Sequence, residues 1–166
     1  MSAFKVIDGF LDDRLFDNVH SYFMNHVAWY YNPFVADSDD TDAFYFSHTM
    51  YMDYKVNSVA CEAVQPIIDL LQPKAIIRIK ANLYTNDGQY REHGWHTDFP
   101  YRHTAAIFYV NTNNGFTILE DGTKIESIAN RLLVMDGSKP HRSTTCTDQK
   151  VRVNIGLNYF SGEDDE

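Results

Sequence analysis

The segment Trp95-His96-Thr97-Asp98 places an imidazole and a carboxylate two residues apart. Residues at this spacing on a β-strand point to the same face, so both groups would be directed toward one point. His141 is a candidate third ligand, because it follows a turn after which the chain would run back beside the first strand. Two histidines and one carboxylate on one face of a metal leave other coordination positions open. The pattern therefore predicts a metal site at His96, Asp98 and His141.

A His-x-Asp pair alone is weak support, because it is also what an exposed strand edge would carry by chance. Arg152, which follows the third ligand on the predicted last strand, strengthens the hypothesis. A guanidinium at the mouth of an apolar barrel can hold a carboxylate through two charge-assisted hydrogen bonds. A dicarboxylate could then bind the metal with one end and the arginine with the other. The alternative, a solvated arginine paired with an acid, explains Arg152 alone but not the ordered combination.

The elements that would position these residues are mostly β-strands. From Lys74 onward, short apolar or alternating segments are separated by turn sequences such as Asn86-Asp87-Gly88 and Asn113-Asn114-Gly115. The predicted strands are Ala75–Tyr84, Tyr90–Asp98, Ala105–Asn111, Phe116–Leu119, Thr123–Ile128, Leu132–Met135, His141–Thr145 and Val151–Phe160. Many short strands with regular turns are typical of a sandwich or barrel.

Two helical segments are predicted before the strands. In the first, capped by Asp12 or Asp13, the apolar residues Leu15, Val19, Tyr22 and Phe23 recur at helical spacing. The second has an apolar stripe from Val56 to Leu71 and is closed by Pro73. We expect both stripes to pack in the core. Helices followed by about eight strands fit a jelly-roll with helices backing one sheet.

The segment Trp29–Tyr54 between the two helices is rich in aromatic residues, with Asp37, Asp39, Asp40 and Asp42 among them. We expect it to be irregular. Two roles fit such a segment: it lines a substrate cleft, or it folds back onto the sheet as a covering layer.

The order of these motifs resembles that of the prolyl 4-hydroxylase superfamily of iron(II)- and 2-oxoglutarate-dependent oxygenases, and its layout is most similar to the prolyl hydroxylases that act on hypoxia-inducible factor. The resemblance runs from about Ala75 to Phe160 and includes Asn82–Tyr90 ahead of the His-x-Asp pair, Ile107–Asn111, and Arg131–Asp136 before Pro140-His141. The opening Val6–Leu11 also resembles the strand and helix start that precede the family's core.

The resemblance implies a double-stranded β-helix, the jelly-roll of this superfamily, backed by two or three helices. It also implies Fe(II), 2-oxoglutarate and O₂ as cofactors, with ascorbate as a reductant, and a dioxygenase that couples decarboxylation of 2-oxoglutarate to hydroxylation of a C–H bond. Arg152 and Tyr109 would hold the distal carboxylate of the cosubstrate, and Tyr84 would lie near its iron-chelating end. The alternative for each tyrosine is a packed barrel residue whose hydroxyl finds an ordinary partner.

The chain departs from the family pattern at a few positions. The stretch from Tyr84 to His96 is somewhat longer, and Gly156 and Asn158 stand where the hypoxia-type enzymes carry bulkier groups. These differences concern the substrate more than the cofactors; by analogy alone it would be a prolyl or other amino-acid or peptide side chain, or a small molecule. His93 and His103 flank the first ligand, and we expect them beside the site without binding metal, or at the surface.

Composition limits the remaining classes. A chain of 166 residues that is 44% hydrophobic fits one globular domain, with helical support and the aromatic segment in 1–73, the jelly-roll core in 74–160 and an acidic tail in 161–166. The net charge of −9 makes nucleic acid an unlikely partner. No apolar run would span a membrane and no secretory signal is visible, so we expect a cytoplasmic protein. No feature indicates an oligomeric state.

Two other functions fit part of these observations. A cupin-type metal enzyme would keep the metal and need no 2-oxoglutarate, although Arg152 and Tyr109 argue against it. A non-catalytic jelly-roll binding module would need neither, and two histidines and an acid directed at one point argue against that.

Overall fold

The computed structural model describes residues 4–36 and 43–162. It contains helices α1 (Asp13–Asn25) and α2 (Gln65–Leu71), with a 3₁₀ helix (Val59–Val64) directly before α2. The strands are β1 Phe4–Ile7, β2 Tyr30–Asn32, β3 Tyr45–Met52, β4 Lys55–Val56, β5 Ala75–Thr85, β6 Thr104–Tyr109, β7 Phe116–Leu119, β8 Lys124–Glu126, β9 Arg131–Asp136, β10 His141–Ser143 and β11 Val151–Phe160. The predicted mainly β class is confirmed. The four aspartates of 37–42 and the acidic tail from 163 lie outside the described residues.

The strands form two antiparallel sheets. The larger has the order β1-β9-β6-β11-β5-β3-β2, with β4 paired to the edge of β3, and the smaller has the order β10-β7-β8. Neighbours in sequence are mostly not neighbours in the sheet, so the chain repeatedly crosses between distant strands. This arrangement agrees with the predicted jelly-roll.

One face of the large sheet packs against the helices. Val19 and Phe23 of α1 and Ile67 of α2 share a buried cluster with Ile79 of β5 and Ile155 of β11. Each fully buried side chain of this size contributes roughly 1.5–3 kcal/mol to the stability of the fold. The cluster therefore fixes β5 and β11 against the helices, and their opposite faces are left for the site.

The first helix begins as predicted, and Asp12 rather than Asp13 is its cap. The Asp12 carboxylate accepts a hydrogen bond from the backbone N–H of Leu15 at 2.9 Å, which satisfies one of the amides that have no partner within the helix. Among the described helices, none is long and apolar enough to cross a membrane.

The second helix is shorter than its apolar stripe. Val56 lies in β4 and Val59 in the 3₁₀ helix, and with 65% and 78% of their surfaces exposed, their assignment to the core is wrong. Pro66, in the first turn of α2, has no N–H to donate and locks its own φ, so an α-helix cannot run through it from upstream. The helix ends at Leu71, just before Pro73, as predicted.

The aromatic segment is not irregular where the structure describes it. β3 pairs with β5 inside the large sheet and β2 pairs with β3, so this part extends the sheet and does not cover it. Aromatic and β-branched residues favour strands, which is the physical reason for the error. Tyr31 of β2, Phe44 just before β3 and Phe46 of β3 pack together in an aromatic group.

The predicted strand Tyr90–Asp98 is also wrong. This segment forms isolated bridges of Glu92 with Thr144, just after β10, and of His96 with His141 of β10, but no continuous ladder. Gly94 lies between the bridges, and a glycine inside a strand weakens it because it has no side chain to pack.

The observed bounds of α2 can be tested by measuring the free energy of unfolding of two variants. Replacing Ile67, which is fully buried, by alanine should lower the free energy of unfolding by about 2–5 kcal/mol. The control Val59→Ala, eight residues earlier on the predicted stripe, should change it by no more than about 0.5 kcal/mol. Urea denaturation of both variants measures the difference; equal losses would mean that Val59 is buried after all.

Candidate metal site and adjoining pocket

The three predicted ligand residues converge in the structure. The candidate ligand atoms of His96, Asp98 and His141 all lie within 4.8 Å of one another. The Nε2 atom of His141 is 3.9 Å from Asp98 Oδ2, and the two imidazole rings are 4.5 Å apart between centroids. Such a cluster is compact enough for one ion to contact all three groups.

Backbone hydrogen bonds fix the positions of these residues. The N–H of His96 donates to the carbonyl of His141 at 3.0 Å, and the N–H of His141 donates back to that of His96 at 2.9 Å. The N–H of Asp98 donates to the carbonyl of Gly137 at 3.0 Å. The cluster is therefore held by the backbone and does not depend on contacts between its side chains.

The protonation states suit metal binding. Burial, together with the nearby His141, lowers the pKa of His96 to about 4, so this imidazole is neutral at physiological pH. The Nδ1 atom of His141 is 3.0 Å from the carbonyl of Lys139, a contact that fits an Nδ1–H donor and leaves the Nε2 lone pair for a metal. Burial opposes ionisation of Asp98, but His141 and Arg78 outweigh it and lower the pKa of that carboxyl.

Two residues hold the carboxylate: Arg78, which the sequence analysis missed, and Asn158, which it noted only as a departure from the family pattern. Arg78 donates to Asp98 Oδ1 and Asn158 donates to Oδ2, both at 2.8 Å. Arg78 also donates to the Asn158 side-chain oxygen at 3.1 Å, so the three groups form a closed network. Each carboxylate oxygen has two lone pairs, so one of them remains available for a metal.

The cluster borders a pocket with about 660 Å³ of empty volume, part of it open to solvent. Its floor comes from alternate residues of two paired strands, namely Arg78, Lys80, Asn82 and Tyr84 of β5 with Asn154, Gly156 and Asn158 of β11. A polar row at every second position of a strand was the signal in the sequence that could have located this floor.

Arg152 continues the same row of β11 beyond the residues that line the pocket. Its side chain is fully buried, and among the described residues no carboxylate lies within 4.0 Å of it, so the alternative of a solvated arginine paired with an acid is wrong. Its Nε donates to Ser127 at 2.9 Å and its Nη2 to Thr117 at 3.3 Å. Its Nη1 is buried without a hydrogen-bond partner in the described structure.

The two predicted tyrosines lie on either side of this arginine. The guanidinium carbon is 5.5 Å from the ring centre of Tyr84 and 5.9 Å from that of Tyr109. Tyr84 lines the pocket, whereas the hydroxyl of Tyr109 donates to Thr117 at 2.7 Å. Burial raises the pKa of both hydroxyls, which keeps them protonated.

The two additional histidines are both buried, so the surface alternative is wrong for each. His93 stacks on Tyr84 at 5.1 Å between ring centres, and its Nδ1 contacts the Ser143 hydroxyl at 2.7 Å. The Nε2 atom of His103 is 3.1 Å from the side-chain nitrogen of Asn158, which holds Asp98.

The fold is shared with solved oxygenase structures. A prolyl hydroxylase from Trichoplax adhaerens, in complex with a peptide fragment of the hypoxia-inducible factor oxygen degradation domain, is 14% identical over 99% of this chain and 86% of its own, with a TM-score of 0.66. A viral collagen prolyl hydroxylase from Paramecium Bursaria Chlorella virus-1, in complex with 2OG, is 13% identical over 95% of both chains, with a TM-score of 0.64.

A third neighbour, an oxidoreductase of the 2OG-Fe(II) oxygenase family from Burkholderia pseudomallei, has a TM-score of 0.71. It is 12% identical, over 95% of this chain and 85% of its own. No family model matches the sequence, and no curated protein matches it. At these identities the similarity establishes the fold.

Metal binding is the first test of the site. Replacing His96 or His141 by alanine should abolish tight binding of Mn(II) or Co(II), since two of three ligands cannot hold the ion comparably, while the protein stays folded. Calorimetric titration measures the binding, with the exposed His26→Ala as the matched control. Unchanged affinity in either ligand variant would mean that the metal binds elsewhere.

His93 gives a pH test in the metal-free protein. Burial lowers its pKa to about 3 from an ordinary value near 6.5, so the unfolded chain binds a proton more readily than the folded one. Stability should therefore fall as pH decreases below about 6.5, by up to roughly 1.4 kcal/mol per pH unit for each such group. His93→Gln should make the loss of unfolding free energy between pH 6 and 4 shallower, whereas His26→Gln should not. Urea denaturation at each pH measures this free energy. If His93→Gln and the unmodified protein show identical pH profiles, the loss does not come from His93.

Proposed function

We propose that this chain is an iron(II)- and 2-oxoglutarate-dependent dioxygenase that hydroxylates a C–H bond. The observation that carries the proposal is the combination of two features on the same face of the sheet. The cluster of His96, Asp98 and His141 borders the pocket. Arg152, buried with an unpaired Nη1, donates to Thr117, which lines the same pocket. The same fold occurs in 2-oxoglutarate oxygenases, which supports this chemistry but does not assign it to this chain.

His96, Asp98 and His141 would hold the metal. Iron(II) bound there would supply the redox chemistry by which O₂ and 2-oxoglutarate are converted, with release of succinate and CO₂, while a C–H bond is hydroxylated; ascorbate would serve as a reductant. Arg78 and Asn158 would keep Asp98 ionised and in one orientation, since both donate to its oxygens.

Arg152 would bind the distal carboxylate of 2-oxoglutarate. A buried guanidinium without a nearby acid carries an unfavourable desolvation cost, which an anionic ligand would offset. Thr117 would help: its oxygen already accepts from both Tyr109 and Arg152, so its own hydroxyl proton is free for a ligand in the pocket. Tyr109 would thus act on the carboxylate through Thr117, and Tyr84, which lines the pocket, would lie near the chelating end.

The architecture fits the same proposal. Residues 1–166 would form one oxygenase domain, in which a double-stranded β-helix carries the site and the helices of its first part support the large sheet. Phe16 of α1 packs edge-on against Phe108 of β6 at 6.3 Å between ring centres, which supports this role for the helix. The substrate would be an amino acid, peptide or other small molecule.

Consumption of 2-oxoglutarate tests the activity directly. The Fe(II)-loaded protein should convert 2-oxoglutarate to succinate at a slow rate even without a primary substrate, and His141→Ala should not. Metal binding with no effect of 2-oxoglutarate would favour the cupin-type enzyme, and absence of metal binding would favour the binding module.

Arg152 variants test the cosubstrate pocket. Arg152→Ala should weaken 2-oxoglutarate binding by about 2–4 kcal/mol, or roughly thirty-fold and more, because a charge-assisted contact is lost. Arg152→Lys should recover part of the affinity, and Tyr109→Phe should cost nearer about 1 kcal/mol. Calorimetry with the Mn(II)-loaded protein measures each value.

Two controls accompany these variants. Because Arg152 is fully buried, its removal can also affect folding, so Thr117→Val provides a milder loss of a pocket donor and should weaken 2-oxoglutarate as well. The solvent-facing Arg91→Ala, which breaks only a pair with Asp87, should leave binding unchanged. Wild-type affinity in both Arg152→Ala and Thr117→Val would place the cosubstrate elsewhere.

A further inference from the structure

Lys80 is a basic side chain in the pocket that the proposed function does not use. It lies on β5 between Arg78 and Asn82, on the face that forms the pocket floor. Its Nζ is 3.2 Å from the Tyr45 hydroxyl and 5.3 Å from the centre of that ring. Among the described residues, no carboxylate lies within 4.0 Å of Nζ, so its charge has no ion-pair partner there.

Asn82 follows Lys80 on the same face of β5 and lacks a donor for its side-chain oxygen among the described residues. The Asn82 amide nitrogen donates to Asn154 at 3.0 Å, but its Oδ1 is buried and has no hydrogen-bond partner in the described structure. An unpaired buried acceptor costs about 1–3 kcal/mol unless a ligand or water donates to it. This part of the pocket floor therefore suits a ligand with an anionic group for Lys80 and an N–H or O–H donor for Asn82.

Gly156 leaves space for such a ligand. It pairs directly with Lys80 across the two strands, and the nearest atom to a Cβ added there would be a backbone oxygen 3.7 Å away. The floor of the pocket is thus open beside the Lys80 side chain. A residue larger than glycine at position 156 would fill this space.

The charges around the pocket indicate whether the cosubstrate or the primary substrate supplies the anionic group that pairs with Lys80. Of the basic groups around the pocket, Arg78 pairs with Asp98 and Arg142 with Glu92, whereas Lys80 and Arg152 have no acid beside them in the described structure. A divalent ion would add further positive charge, and 2-oxoglutarate would offset only two charges through the metal and Arg152. Positive charge would remain at Lys80 after the cosubstrate is bound.

We propose that the primary substrate is a free amino acid, whose carboxylate binds Lys80 and whose amino group donates to Asn82 Oδ1. The inference rests on the proposed oxygenase function and narrows its substrate class. 2-Oxoglutarate cannot fill this role, since it has no N–H or O–H group to donate at neutral pH. An internal residue of a peptide chain has no free α-carboxylate to offer Lys80.

The environment of Lys80 agrees with this assignment. Burial, and after it the charge of Arg78, lower the pKa of Lys80. A carboxylate bound beside Nζ would favour the charged form and reverse that effect, because an opposite charge at short range stabilises the ammonium. Lysine offers a point charge with freely rotating donors, which suits a single carboxylate group.

The test uses the Mn(II)-loaded protein and calorimetry, so its readout is independent of turnover. The first titration is 2-oxoglutarate alone, which tests the proposed function. With 2-oxoglutarate saturating, the common amino acids are titrated singly, beginning with L-proline. The best binder is then compared with its amide, which lacks the carboxylate, and with its des-amino derivative, the carboxylic acid that lacks the amino group and so has no N–H to donate.

We expect the free amino acid to bind about ten-fold or more tighter than either derivative. Lys80→Met should remove the preference over the amide, Lys80→Arg should keep part of it, and the control Lys55→Met, at an exposed position of β4, should keep all of it. The affinity for 2-oxoglutarate should be nearly unchanged in Lys80→Met, because Arg152 and the metal site are intact.

Three results would overturn the proposal: no amino acid binds, the amide binds as tightly as the acid, or Lys80→Met retains the preference. A loss of 2-oxoglutarate affinity in Lys80→Met without loss of the preference would also overturn it and would assign Lys80 to the cosubstrate. Failure of the proposed function is seen separately, as absence of 2-oxoglutarate binding in the first titration of the unmodified protein.

Discussion

The pairing of β5 with β11 decides which side chains reach the pocket. The two strands pair in one register from Thr85 with Val151 to Arg78 with Asn158, so every second residue of each strand faces the same side. The apolar set, with Ile79 and Ile155, packs under the helices, and the polar set forms the pocket floor. A slip of one residue would bring the polar set into the helical core. The geometry of the site therefore depends on the packing of the apolar face, although no residue of that face belongs to the site.

The same register concentrates charge where water is scarce. Arg152 is fully buried and has no described acid beside it, and Lys80 has only the Tyr45 hydroxyl. Removing an ion from water costs several kilocalories per mole even after the protein relaxes. The large apolar cluster on the other face of the sheet must offset this cost in the free protein. A carboxylate ligand would reduce the same cost, so ligand binding and folding stability are expected to be coupled.

The sequence predicted the longest strands of the core well, because their signal is local, and it also named the three clustered residues. The last strand was predicted with its observed bounds, Val151–Phe160. His96 and Asp98 converge as expected although their segment is not a strand, because backbone hydrogen bonds to His141 and Gly137 position them. What failed depends on distant partners. The role of Arg78 is defined by Asp98, twenty residues later in the chain. No periodicity within a segment contains that information.

The overall charge and the charge of the pocket act over different distances. The chain carries a net charge of −9, yet Arg78, Lys80 and Arg142 all line one pocket. Surface charges are screened beyond roughly 8 Å at physiological ionic strength, whereas groups within the pocket are screened much less. The negative surface therefore disfavours extended polyanions, which must contact a broad area, but it scarcely affects a small acid that has entered the pocket. This contrast is how a strongly acidic protein can present a site for small anions, and it places the discrimination between ligands on the few side chains of the strand floor.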